Sequence, residues 1–325
     1  MFLSTLVPWA LLLPSLVLAK PVRRDTQAVP SFVLQYAPLS YLYSQEKYWP
    51  ADVADHLTHV TPQEGGKNIA SSVDFSTIGS LASDVYLTSK DDVESHPAWL
   101  GGIPTDSSGF TNAPATIIVV NKAGGITDAF YFYFYSYDHA TYLDLQFGDH
   151  VGDWEHSMIR FVNGVPQFVY LSAHSGGAAY NFSAVTKQDG RPVTYIASGT
   201  HANYATPGAH QHDLPLLDDQ TDKGHLWDIT KNFRGFTYDV SAKSFALASG
   251  VAAGGSKEGS EGVGWLNFAG RWGDKQYPIL IKDGQYCITS SECKFVDGPT
   301  GPEAKNLGRT AVCQDESDCD IKSSL

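Results

Sequence analysis

The sequence predicts a mainly β protein: an antiparallel β-sandwich with a few short peripheral helices and a disulfide-bonded C-terminal tail. Three observations carry this. Of 325 residues, 30 are Gly and only 2 are Met, a composition that suits turns and strands better than a helical bundle. The apolar runs arrive as successive hairpins with no helical crossover, so neighbouring strands should pair antiparallel. Finally, 17 Tyr, 16 Phe and 7 Trp supply enough bulk to fill the space between sheets.

In chain order, Phe2 to Ala19 is almost wholly apolar and ends in Val17-Leu18-Ala19, so residues 1–19 are expected to be a signal peptide. The following Lys20 to Arg24 ends in a dibasic pair, read either as a propeptide of residues 20–24 or as a charged flank. Residues 25–286 are expected to form the sandwich domain and 287–325 a disulfide-stabilised C-terminal segment. Phe32 to Tyr43 alternates loosely and reads as a strand or extended segment. Pro50 and Asp52 then start a short helix reaching about His59. Residues 61–115, rich in Gly, Pro, Ser and Asp, read as irregular. Thr116 to Val120 and Ile126 to Tyr137 make a hairpin across a Gly-rich turn. Trp154 to Phe161 and Val165 to Ala173 make a second, joined by the type I′ signal Asn163-Gly164. Pro192 to Ser198 adds a strand, and Ser249 to Gly264 reads as a surface loop or linker. On strict alternation, Tyr131, Tyr133 and Tyr135 share one face of their strand and Phe130, Phe132 and Phe134 the other, which marks a sheet centre with both faces covered.

Cys287, Cys293, Cys313 and Cys319 all lie in the C-terminal segment, and an even cluster in an oxidising compartment implies disulfides. Pairing 287 with 293 and 313 with 319 is preferred because each closes a short loop, with the crossed pairings as alternatives. Asn181-Phe182-Ser183 is a glycosylation sequon. A net charge of −13 argues against binding nucleic acid through neutralised phosphates. No segment after the signal peptide is long and apolar enough to span a membrane. Gly-x-Ser-x-Gly and the Gly-rich nucleotide-binding motifs do not occur.

Chemistry is concentrated in the middle of the chain. Eight of eleven histidines fall between His139 and His225. In Gly148 to His156 a Gly-bounded turn is expected to feed a strand on which Asp153 and Glu155 share a face, with His150 in the preceding loop able to fold back toward them. Carboxylates plus imidazole point to a divalent cation, with Ca²⁺, Mg²⁺, Mn²⁺ and Zn²⁺ all open. His174 and His201 each follow a β-run beside glycines, at strand ends that a sandwich gathers on one rim.

Through Tyr36-Ala37-Pro38-Leu39, Glu46 to Pro50, Asp149 to His156, Ala173 to Gly177, Gly199 to Tyr204, Gly270 to Gly273 and Gly298 to Pro302, the chain resembles the vacuolar protein sorting-associated protein 62 family, whose name records a trafficking phenotype. His150 to Glu155 is also similar to the heptad of the necrosis- and ethylene-inducing peptide-like proteins, secreted cytolysins with a β-sandwich fold. That second resemblance implies a divalent cation held by His150, Asp153 and Glu155. It adds an Asp ligand after an aromatic strand, best matched by Asp138 with Asp144 as rival, and a sphingolipid head group as the docking target. Asp149 and Gly152 depart from the heptad and put lysis in doubt more than the cation. Three readings follow. One is a secreted or vacuolar cation-binding protein that docks to a glycan, phosphate or lipid head group. Another is a metal-dependent hydrolase with His174 or His201 as acid or base. The last is a non-catalytic trafficking or cell-wall protein whose polar cluster is structural.

Overall fold

The computed structural model describes residues 28–142, 145–211, 218–248, 262–279, 284–287 and 293–325. The expected signal peptide, the propeptide, Asp144 and most of the Ser249 to Gly264 loop lie outside these residues. The aromatic run extends further than its sequence suggests: Ile126–Tyr142 pairs antiparallel with Leu145–Val162. This long pair is the axis of an eight-stranded sheet. Across the sheet the order is Ser244–Leu247, Phe233–Asp239, Ala115–Asn121, Ile126–Tyr142, Leu145–Val162, Val165–Ala173, Gly176–Asn181 and Ile321–Lys322. Hairpin neighbours pair antiparallel as expected. The two joins made over long sequence separations, Phe233–Asp239 on Ala115–Asn121 and Ile321–Lys322 on Gly176–Asn181, are parallel.

Both faces of this sheet are covered, as the Tyr/Phe alternation demands. Tyr131, Tyr133 and Tyr135 pack with Leu42, Ile196 and Trp227 of a second sheet, in which Leu39–Leu42 runs parallel to Arg191–Ile196 and antiparallel to His225–Trp227. Phe130, Phe132 and Phe134 pack with Val53, Leu57, Leu87, Trp265 and Trp272 on the other side. Those partners show why the reading of 61–115 as irregular needs correction. Val60–Glu64 pairs with both Lys67–Asn68 and Tyr86–Ser89 in a small sheet whose Val60 and Leu87 are fully buried. The strands are two to five residues long, too short for periodicity to reveal. The segment read as extended from Phe32 likewise begins as the short helix Ser31–Gln35, and the strand starts only at Leu39. Asp52 caps the helix Val53–Thr58, accepting from the Ala54 N–H at 2.9 Å. Among the described residues no helix is long and apolar enough to cross a membrane.

Both preferred disulfides are formed, Cys287–Cys293 and Cys313–Cys319. The C-terminal segment lies directly on the large sheet. Arg160 reaches the carbonyls of Thr310 and Ala311 while chelating Asp128 with two bonds of 2.7 Å, and Lys122 bonds both Asp128 and the Arg309 carbonyl.

The expected turn at Gly148 to Gly152 is instead part of the long strand. Asp138 pairs with His150 and Ala140 with Phe147, so Gly148 and Asp149 stand opposite His139 alone, a β-bulge made with Gly148 at φ +74. A second irregularity follows at Gly152, with φ +68. Tyr135 and Asp153 point to one face, yet the next pair along, Tyr137 and Val151, packs with Phe134 and Trp154 on the opposite one. The alternation therefore slips by one residue at Gly152, which brings Asp138 and His150 to the same side as Asp153 and Glu155. A Cβ at Gly152 would stand 2.4 Å from the Trp272 carbonyl oxygen. Gly152→Ala is expected to cost about 2 kcal/mol or more, from left-handed strain plus this overlap, read as a lowered urea midpoint.

Candidate functional site

The slipped strand pair opens into a cavity of about 690 Å³ lined by Asp138, His150, Asp153 and Glu155, with His174 and Asp219 on another wall. Its four sequence-predicted cation ligands thus come together, and His174 joins them. His150 is oriented by its own backbone: Nδ1 lies 2.7 Å from the Gly152 carbonyl, which can only accept, so Nδ1 carries the proton and Nε2 keeps its lone pair. Burial holds this imidazole below its ordinary pKa and hence neutral. Nε2 faces Asp138 Oδ2 at 3.8 Å, too long for a hydrogen bond.

The Asp138 side chain is 11% exposed, and no hydrogen-bond donor among the described residues reaches its carboxylate. Burial, then the charges of Asp153 and Asp149, push its pKa well up. Asp153 Oδ2 accepts from His201 Nδ1 at 2.9 Å, and Glu155 Oε2 accepts from the Ser172 hydroxyl. Burial and the neighbouring Asp153 raise Glu155 to about 7. A buried carboxylate is costly without full compensation, and three of them lining one cavity, Asp138 with no donor and Asp153 and Glu155 with one each, make a donor set for a hard or borderline cation.

His201 lies beneath this cluster. One ligand atom each from Asp138, Asp153 and His201 falls within 4.8 Å of the others. Both nitrogens of His201 are already engaged, however, with Nε2 on the Tyr48 carbonyl at 2.9 Å, and the ring stacks on Tyr135 at 3.5 Å. Burial lowers its pKa, but the bond to Asp153 and the charge of Glu46 outweigh this and leave it raised. His201 is placed to orient Asp153. The loop that delivers it is stapled by Glu46, whose carboxylate accepts from the Gly199, Lys47 and Tyr48 N–H groups. His174 sits at a hairpin tip with φ +54, and its Nε2 is 2.7 Å from Asp219. Asp219 also accepts from Thr200 and Tyr204. Burial works against its charged form, but these donors outweigh it and hold the carboxyl below its ordinary range.

Glu46, Asp149 and Asp219 were not singled out as site residues from sequence. Asp149 is fully buried and accepts from Tyr137, His139 and the Ala140 N–H, which makes it a brace for the bulge. Glu46 stands in a stretch quoted for its family resemblance, but nothing there signals an inward carboxylate.

The profile of vacuolar protein sorting-associated protein 62 matches residues 124–280. The putative vacuolar protein sorting-associated protein TDA6 of Saccharomyces cerevisiae is 37% identical over 329 residues, covering 88% of this chain and 68% of that one. Vacuolar protein sorting-associated protein 62 of the same yeast is 38% identical over 325 residues, with the same coverage of each. The chain belongs to the vacuolar protein sorting-associated protein 62 family. The family profile spans Asp138, His150, Asp153, Glu155, His174, His201 and Asp219, while Glu46 and Lys305, which also line the cavity, fall outside it. Among solved structures, necrosis and ethylene inducing protein 2 from the agent of cocoa's witches' broom disease is 14% identical. That match covers 59% of this chain and 74% of that one at a TM-score of 0.30. The structure described as a toxin fold for microbial attack and plant defense is 12% identical, covering 66% and 77% at 0.31. Overlaps this loose carry no functional weight.

Proposed function

We propose that this family member is a divalent-cation-binding β-sandwich protein, in which a cation held by Asp138, His150, Asp153 and Glu155 docks a glycan, phosphate or lipid head group in the cavity. The observation that carries the reading is Asp138: a buried carboxylate that no donor among the described residues reaches, facing the lone pair of an imidazole whose other nitrogen is fixed by a backbone carbonyl. That arrangement matches the way metal-binding histidines are oriented. A cation also explains how an acidic chain meets an acidic ligand, by supplying the positive charge locally. The two disulfides fit an oxidising compartment, and the yeast relatives are named for vacuolar protein sorting. In this reading the protein acts in the vacuole or after secretion.

The test is metal content and thermal stability of the processed protein with and without chelator. Wild type is expected to carry about one divalent ion and to melt at lower temperature after chelation, because a ligand bound only to the native state stabilises it. Asp153→Ala should carry none and be indifferent to chelator. If both proteins are metal-free and melt alike, the cluster is structural.

A second reading, metal-dependent hydrolysis, is favoured by one observation: His174 lines the same cavity and is held by Asp219, which keeps its pKa raised against the opposing effect of burial. In that reading His174→Gln abolishes turnover of a phosphate or glycosidic ester while cation binding is kept.

A further inference from the structure

The carboxylates that face the cavity do not all have two oxygens to offer. Asp153 Oδ2 is taken by His201 Nδ1, and His201 is itself locked by the Tyr48 carbonyl and the face of Tyr135. Glu155 Oε2 is taken by Ser172, whose hydroxyl is fixed in turn because it accepts from the His156 N–H at 2.8 Å. Each therefore presents one oxygen, from a group too buried and too tightly tied to swing into a two-oxygen grip. The Asp138 side chain, 11% exposed, bears no hydrogen bond among the described residues and faces His150 Nε2, which keeps its lone pair because Nδ1 donates to the Gly152 carbonyl.

Resting on the cation-binding reading above, we infer that the site selects a transition-series divalent cation of the Mn²⁺ or Zn²⁺ kind over Ca²⁺ and Mg²⁺. The physical reason lies in the donor set. Ca²⁺ prefers six to eight oxygens and commonly takes a carboxylate through both of them, which the His201 and Ser172 locks deny at Asp153 and Glu155, leaving Asp138 as the one carboxylate with two oxygens to give. Mg²⁺ keeps oxygen and water ligands and gains little from imidazole. A borderline ion accepts the His150 nitrogen together with single carboxylate oxygens. His201 and Ser172 are in this account positioning residues: they touch no cation and set selectivity by rationing the oxygens of Asp153 and Glu155.

The experiment titrates Mn²⁺, Zn²⁺, Ca²⁺ and Mg²⁺ separately into chelator-stripped full-length protein by calorimetry, alongside His150→Gln and Ser172→Ala. Wild type is expected to bind Mn²⁺ at least about tenfold more tightly than Ca²⁺. His150→Gln puts an oxygen where the nitrogen was and should lose about 10- to 100-fold in Mn²⁺ affinity with Ca²⁺ little changed. Ser172→Ala frees the second Glu155 oxygen and should narrow the Mn²⁺ to Ca²⁺ ratio by raising Ca²⁺ affinity. Nitrogen hyperfine coupling in the electron spin resonance of the Mn²⁺-loaded wild type provides a reading that needs no variant to fold. Ca²⁺ binding as tight as Mn²⁺, or absence of the nitrogen coupling, overturns the selectivity while leaving the cation site standing. No binding by any of the four ions overturns the cation-binding reading itself.

Discussion

Replacing Asp128 with alanine is expected to cost about 3–5 kcal/mol of folding stability, because it leaves Arg160 buried and Lys122 half-buried without a counter-charge. Asp128 is fully buried and accepts from both cations, and those cations spend their remaining donors on the carbonyls of Arg309, Thr310 and Ala311. The damage should be directional. With the pair broken, the C-terminal segment loses its hold on the sheet, so trypsin should cut after Lys305 and Arg309 in the variant at protease levels that spare wild type. Urea unfolding measures the first effect and limited proteolysis the second. A midpoint change worth less than about 1 kcal/mol, with unaltered cleavage, would show that the ion cluster contributes nothing to the anchoring.

Glu155→Gln is expected to stabilise the cation-free protein at neutral pH and to weaken cation binding at the same time. The sign follows from the raised pKa. Burial beside Asp153 lifts Glu155 from 4.5 to about 7, so in the folded state the carboxyl favours its protonated form. Its favourable contribution is fully present below pH 4.5 and is lost as pH rises through about 7. Removing the ionisable group should therefore raise stability by on the order of 3 kcal/mol at about pH 7.5, and the gap between variant and wild type should close on acidification. The comparison must be made as a difference. His56, His150 and His156 are held neutral by burial and destabilise wild type and variant equally in acid, so they cancel. Added cation should reverse the order of the two proteins at neutral pH, since only wild type has the charged oxygen to offer. A gap independent of pH would sink the account of Glu155 as a buried acid with no cation to balance its charge.

Much of this fold was legible in the sequence, because its strongest signals are periodic and local. The Phe/Tyr stripe, the Asn163-Gly164 turn and the short cysteine loops each follow from a spacing of two to six residues. The short strands of 60–89 were not legible because each is too brief to show a period, and the parallel joins at Phe233 and Ile321 were not because their partners lie far along the chain. The acidic cluster was found as a set, yet its local geometry was misread. Gly148 and Gly152 look like turn residues; the bulge needs Gly148 for its positive φ, and the backbone of Trp272, more than a hundred residues on, explains why the strand needs glycine at 152. His201 could be recognised as belonging to the site but not as already bonded on both nitrogens, because its partners come from Tyr48 and Asp153. Glu46 and Asp219 had no motif to announce them.

The Arg160 clamp has a consequence for the order of events during synthesis. The hairpin that carries Asp128 and Arg160 is local and pairs as soon as it is made, yet the carbonyls that complete its ion cluster lie 149 to 151 residues further along. Until residues 309–311 leave the ribosome, two cations and a carboxylate must stay hydrated on what will become a buried face. Burial of this face, and with it the placing of Lys305 on the cavity wall, must therefore wait for the last residues of the chain to be made.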